Sequence, residues 1–241
     1  MTKISKISIS SSLVILFFLF LPFERLLTLE IFGLTAKISF LILLLIILAL
    51  VIYRPGPRLA IEEKILLLFV GISYLSAFWS IDQLRSLIIS TIYLATLVGF
   101  IALRRFLDQR TAQIAKSIII YLGFALALFA LWQYFADLNN LPLTFLRPQY
   151  TKIVFGFPRP QATFLEPLYF ANFLFLPFFF TIERIIDNKK IQPFLLVSLF
   201  LLAVVLTLTL SRGAYIAFVF AAIVLAVIIA VKFKQFLKRF G

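Results

Sequence analysis

The sequence predicts an all-α fold: a polytopic transmembrane bundle of about eight helices, both termini cytoplasmic. Three observations predict it. Residues of the AVILMFWYC class make up 63% of the 241 residues, and charged residues only 14%, against about 25% charged in a soluble globular chain. The mean hydropathy is +1.11. The charges gather in short clusters between apolar runs of membrane-spanning length. Too few remain to cover the outside of a soluble core. This excludes a soluble enzyme, a disordered chain and a nucleic-acid-binding domain. The net charge of +13 is then read as orientation signals rather than as a nucleic-acid footprint. The chain has no Cys and no His. Disulfides, thiolate metal sites, zinc sites and His-based triads fall away, and no metal or cofactor is expected.

A helix needs about 20 apolar residues to cross the hydrocarbon core, with a usual range of about 17–25. The uncharged stretches are 7–23, 38–53, 65–81, 86–103, 117–136, 167–182, 191–211 and 213–231. The first follows Lys3 and Lys6 and lacks a small-x-small cleavage site before Glu24-Arg25, so it reads as an uncleaved span rather than a signal peptide. The second is short, and Lys37 can snorkel at its edge. The third closes near Trp79. Asp82 and Arg85 open the fourth as a helix start, and Arg104-Arg105 close it. The fifth has Trp132 near its far end. The sixth opens at Pro167, a residue suited to the first helical position, and Glu183-Arg184 flank its other end. Only Arg212 separates the seventh from the eighth. Their combined run of about 40 residues is too long for one span, so a hairpin is required there.

Orientation follows from Lys and Arg. With the N-terminus inside, Arg25, Lys37, Arg85, Arg147, Lys152, Arg159 and Arg212 fall outside, and the other 16 of the 23 cations fall inside. The bias supports cytoplasmic termini. The long outside segment 138–167 is rich in proline: Pro142, Pro148, Pro158, Pro160 and Pro167. The tail 232–241 is basic and cytoplasmic. Its Phe233, Phe236, Leu237 and Phe240 share one helical face, which fits a short interfacial helix or a stop-transfer tail. The whole of 1–241 is read as one transmembrane domain.

The residues with chemical promise are outward. Arg212 sits in the hairpin, where a guanidinium needs an anion or water. Ser211 can cap the incoming eighth helix. That helix N-terminus adds N–H groups and positive dipole, which suits a phosphate or pyrophosphate. The bland reading of Arg212 is an interfacial anchor. Arg159 lies between two prolines that stiffen its backbone. Glu166 can orient Arg159 or take a proton from a hydroxyl, or can simply be a favourable charge at a helix start. Asn172 can bond to another helix. Glu24-Arg25 and Glu30 read as surface pairs with one another or with Lys37. Arg104-Arg105, Asp108 and Arg110 read as a topological cluster.

In order, these residues resemble the first half of the O-antigen ligase and O-antigen polymerase family of bacterial membrane proteins. The resemblance rests on Leu21-Pro22-Phe23-Glu24-Arg25, on Leu75-Ser76-Ala77-Phe78-Trp79-Ser80 followed by Asp82, and on Arg159 with Thr163-Phe164 and Glu166-Pro167. The most specific element is Ser211-Arg212-Gly213-Ala214. The resemblance implies a multi-pass bacterial inner-membrane protein of lipopolysaccharide or polysaccharide biosynthesis. It implies transfer of a polyprenyl-pyrophosphate-linked glycan to a lipid or sugar acceptor at the periplasmic face. Arg212, with Arg159 and Ser211, would bind the pyrophosphate, Glu166 would be the catalytic carboxylate, and no metal is implied. Members carry a further outer loop with a His. This chain has none, so the resemblance implies an incomplete domain. A non-catalytic membrane subunit or truncated fragment is the alternative. A flippase is a weaker one, because the spans carry few mid-span polar residues.

Overall fold

In a computed structural model of the chain, residues 9–24, 28–31, 34–53, 59–139, 141, 156–188 and 192–240 are described. They form α1 (Ile9–Phe20), β1 (Thr28–Ile31), β2 (Leu34–Lys37), α2 (Ile38–Tyr53), α3 (Ile61–Ala77), α4 (Gln83–Phe106), α5 (Gln109–Leu138), α6 (Pro167–Asp187), α7 (Pro193–Leu208) and α8 (Arg212–Phe240). Each uncharged stretch of the sequence coincides with one helix. Three of them, α4, α5 and α6, are long and apolar enough to cross a membrane. At 1.5 Å per residue they extend about 36, 45 and 31 Å.

Two differences from expectation stand out. Residues 28–37 include an antiparallel hairpin, with Thr28 opposite Lys37 and Ile31 opposite Leu34. The basic tail is not a separate element, because α8 runs without a break from Arg212 to Phe240. No Gly or Pro interrupts the sequence at Val231, so nothing stops the helix there.

The chain divides into two compact units. The first comprises residues 1–21 and 27–115, the second residues 22–26 and 116–241. In the first, Val14 of α1, Ile42 and Ile46 of α2 and Ala102 of α4 form a buried core. Helices α3 and α4 are joined by hydroxyls: Ser73 Oγ lies 2.8 Å from Ser90 Oγ, and Tyr74 donates to Thr91 Oγ1 at 2.9 Å. At the other end of the pair, Glu63 is buried. It accepts from Ala60 N at 2.9 Å and pairs with Arg104 and Arg105 at 3.4 and 3.2 Å, while Glu62 takes Arg104 at 2.9 Å. The Arg104-Arg105 cluster therefore clasps two helices as well as carrying charge. Asp82 caps α4 by accepting from Arg85 N at 3.0 Å, the expected helix start.

In the second unit, α6 buries Phe170, Ala171, Phe173, Leu174 and Pro177, a stripe with helical spacing. Against it, α7 buries Leu195, Leu201, Leu202 and Val205. Phe218 of α8 meets Phe175, Phe178 and Phe179 of α6 at ring separations of 5.9, 5.0 and 5.9 Å. Gly123 lets α5 approach α6 closely, because a Cβ there would lie 2.3 Å from Pro177 Cβ. Lys116 of α5 pairs with Glu183 of α6 at 2.5 Å, and Arg184 reaches Ser117 at 3.2 Å. The Lys116 and Arg184 contacts tie the start of α5 to the end of α6, the end of α6 remote from Pro167.

Candidate functional site

The site is built from two connections of the second unit, 156–166 before α6 and 209–211 between α7 and α8. The second is the sharper. Thr209 ends α7 with its N–H on Val205 O and its hydroxyl on Leu206 O at 2.7 Å. Leu210 then turns the chain in the left-handed region, at φ +47°. Glycine is the usual residue there, and a leucine costs about 1–2 kcal/mol. The turn sets α8 going at once, with Tyr215 N bonded to Ser211 O at 3.0 Å. Ser211 thus occupies the cap position by its backbone, as expected. Its hydroxyl, however, makes no capping bond among the described residues.

The first connection is tied down along its length. Ala162 is also left-handed, at φ +50°, and fully buried. Gln133 of α5, 2% exposed, grips it from both sides. Its Nε2 donates to Ala162 O at 3.1 Å, and its Oε1 accepts from Ala162 N at 2.9 Å. Thr163 donates to Pro22 O at 2.6 Å, and Leu165 N donates to Glu24 Oε2 at 3.1 Å. Phe164 packs on Phe170 and Phe173 at 5.6 and 5.2 Å. Glu24 therefore serves this connection. Arg25, its expected surface partner, lies outside the described residues, as do the side chain of Glu30 and residues 142–155 of the long segment.

Arg159 bridges the two connections. Its Nε donates to Thr209 O at 2.7 Å, at the C-terminal end of α7, where positive charge is favoured. Burial lowers its pKa below the usual arginine value, and the Glu166 carboxylate opposes that shift. Its Nη groups have no hydrogen-bond partner among the described residues. Glu166 stands at the N-cap position of α6 with Pro167 as the first helical residue, and its side chain makes no capping bond. No ion pair within 4 Å joins it to Arg159 among the described residues, although its charge acts on Arg159.

Arg159, Glu166, Ser211 and Arg212 all line one cavity of about 540 Å³, with Gln161, Leu165, Pro167, Leu168, Leu210 and Gly213. Arg212 and Glu166 are exposed at its rim. Ser211 and Gln161, 4% and 6% exposed, carry a hydroxyl and a carboxamide with no hydrogen-bond partner among the described residues. The cavity thus offers two guanidiniums, one carboxylate, two unpartnered polar groups and the N-terminus of α8. No group of His, Cys, Asp and Glu suited to a metal ion is found among the described residues. No family model, curated protein or solved structure matches the chain.

Sequence reasoning gave no role to Gln161 or Gln133. Gln133 has a signal that was readable: it is a lone amide in an apolar run, beside Trp132. Asn172, expected to bond across helices, is exposed on α6 and has no hydrogen-bond partner among the described residues.

Proposed function

We propose that the chain is a multi-pass bacterial inner-membrane protein, with about eight spans and cytoplasmic termini, that acts on a polyprenyl-pyrophosphate-linked glycan at the periplasmic face. In this reading it resembles the O-antigen ligases and polymerases. It moves the glycan to a hydroxyl of a lipid or sugar acceptor. The observation that carries the reading is the convergence of Arg159, Glu166, Ser211 and Arg212 on one cavity, from two connections far apart in sequence. An anion in this cavity meets the Arg212 guanidinium, the unpaired N–H groups of the first turn of α8 and the Ser211 hydroxyl. The free Nη groups of Arg159 add a second fork.

The chemistry is a displacement at the glycan's anomeric carbon. The bond to the diphosphate oxygen breaks, and a bond to the acceptor oxygen forms. The acceptor's proton passes to Glu166 and on to water, and the diphosphate leaves on its lipid. The guanidiniums stabilise charge that grows on the leaving oxygens. A second reading is a non-catalytic subunit that binds the same lipid. One observation favours it: no hydrogen bond among the described residues holds the Glu166 carboxylate in place, whereas a general base needs a fixed approach.

Arg212→Ala and Glu166→Gln test both readings in proteoliposomes supplied with lipid-linked glycan and acceptor. Loss of the Arg212 contacts is expected to reduce transfer by about 10²–10³-fold while membrane insertion persists. Transfer that survives Arg212→Ala overturns the proposal. Lipid binding by a wild-type chain that shows no transfer selects the subunit.

A further inference from the structure

We propose that Gln161 is a specificity-determining residue of this cavity, whose carboxamide reads two neighbouring hydroxyls of a sugar ring joined to the bound anion. The inference rests on the reading above for the anion and adds which residue recognises the group beside it. Gln161 is 6% exposed and lines the cavity. Neither its amide nitrogen nor its amide oxygen has a hydrogen-bond partner among the described residues. The fully enclosed polar atoms without a partner lie elsewhere, so the Gln161 carboxamide keeps its small exposed surface on the cavity. One residue away, the chain shows what a buried carboxamide requires. Gln133 has both functions paired, Nε2 to Ala162 O at 3.1 Å and Oε1 to Ala162 N at 2.9 Å. Gln161, the residue before Ala162, has neither. Its backbone is held in place: Pro160 fixes φ before it, Ala162 is clamped after it, and Gln161 O accepts from Phe164 N at 3.0 Å. A buried carboxamide without partners is costly, and a ligand that satisfies it removes that cost.

The balance of donors and acceptors selects the ligand. Two guanidiniums, the first turn of α8 and the Ser211 hydroxyl already supply donors to an anion, and an ionised diphosphate only accepts. Such an anion against Gln161 would use Nε2 and leave Oε1 facing oxygen lone pairs. An apolar group would satisfy neither atom. Neighbouring ring hydroxyls satisfy both, one accepting from Nε2 while the next donates to Oε1. The cavity of about 540 Å³ lies within the usual range for small-molecule pockets, about 300–1,000 Å³, and has room for a ring beside the anion. A ring that lacks one of the two hydroxyls strands a buried polar group, which discriminates more sharply than a missing apolar contact. Gln161 therefore sets which sugar the site takes, while the guanidiniums hold the anion whatever sugar it bears.

Calorimetric titration of the full chain in nanodiscs of neutral phosphatidylcholine tests this. The probes are inorganic pyrophosphate, methyl phosphate and the 1-phosphates of glucose, galactose and N-acetylglucosamine. At least one sugar phosphate should bind about tenfold more tightly than methyl phosphate, the worth of two neutral hydrogen bonds. Gln161→Met, which keeps the length of the side chain, should remove that preference and leave methyl phosphate and pyrophosphate affinities unchanged. Asn172→Leu, which removes an exposed amide from α6, should keep the preference. If the Met variant fails to insert, deoxy analogues of the preferred sugar phosphate read the same contact in the native chain. Loss of either of two neighbouring hydroxyls should then cost about tenfold, and a deoxy series without effect overturns the proposal. Sugar phosphates that bind no more tightly than methyl phosphate, or a preference that survives Gln161→Met, overturn the role of Gln161 and leave the anion reading standing. Pyrophosphate that does not bind the native chain overturns both.

Discussion

Gln133→Met keeps the length and approximate volume of the side chain and removes both of its hydrogen-bonding functions. In the native chain the carboxamide satisfies Ala162 O at 3.1 Å and Ala162 N at 2.9 Å, and Ala162 has no exposed surface. The substitution leaves two buried backbone groups without partners, at about 1–3 kcal/mol each. Part of this returns through relaxation and through easier burial of a thioether, so the expected loss is about 2–4 kcal/mol. For a chain of this size that lowers the unfolding midpoint in detergent by about 5–15 °C. Gln133→Glu should lose at least as much near neutral pH, because its buried carboxylate still accepts from Ala162 N but is desolvated and faces Ala162 O without a donor. Amide exchange at Ala162 reads the same bond directly: slow in the native chain, fast in the Met variant. Native protection and an unchanged midpoint in Gln133→Met would refute the claim that α5 fixes the connection bearing Arg159 and Glu166.

Gly123→Ala should lower the unfolding midpoint although alanine favours helix by about 1 kcal/mol. The new Cβ would sit 2.3 and 2.5 Å from Pro177 Cβ and Cγ, and a ring bonded to the α6 backbone cannot rotate away. The cost is about 1–3 kcal/mol, and a raised midpoint would contradict it. Asp108 accepts from Thr111 N at 2.6 Å, and this bonding to Thr111 lowers its pKa below the usual aspartate value. Its contribution is therefore fully present above about pH 4, the unfolded value, and is lost as pH falls through the lowered folded value. Asp108→Asn, which can still cap the helix, should flatten that part of the acid dependence in melts taken between neutral and acidic pH.

The helices were legible because the apolar runs are uninterrupted and charges mark their ends. The hairpin at 28–37 was not: the sequence there carries no glycine-asparagine turn and only a brief alternation. Glu63 has no reading in the sequence, and its partners lie 41 and 42 residues away, where only packing brings them together. In the candidate site, polar residues at span edges singled out Arg159, Glu166, Ser211 and Arg212, and the fold brings them to one cavity. What holds them was illegible. Leu210 and Ala162 take a left-handed backbone that sequence assigns to Gly or Asn, and Gln133 acts through a segment 29 residues away.

A hairpin of two helices is an awkward place for an anion. The N-terminus of α8 attracts negative charge, but the C-terminus of α7 lies beside it with its last carbonyls outward and repels it. The chain offsets those carbonyls. Tyr215 donates its phenol to Thr207 O, and Arg159 donates Nε to Thr209 O at 2.7 Å. A guanidinium does this and still presents a planar fork of donors to the cavity, because its five N–H groups diverge from a rigid plane. A lysine has one ammonium, which can cap Thr209 or meet a diphosphate with full strength but not both. Arg159→Lys should therefore retain most of the native stability while weakening pyrophosphate binding by about tenfold, a loss of about 1.4 kcal/mol. Arg159→Ala should lower both. Equal pyrophosphate affinity in Arg159→Lys and the native chain would mean that Arg159 is a helix cap alone and that Arg212 with the first turn of α8 holds the anion unaided.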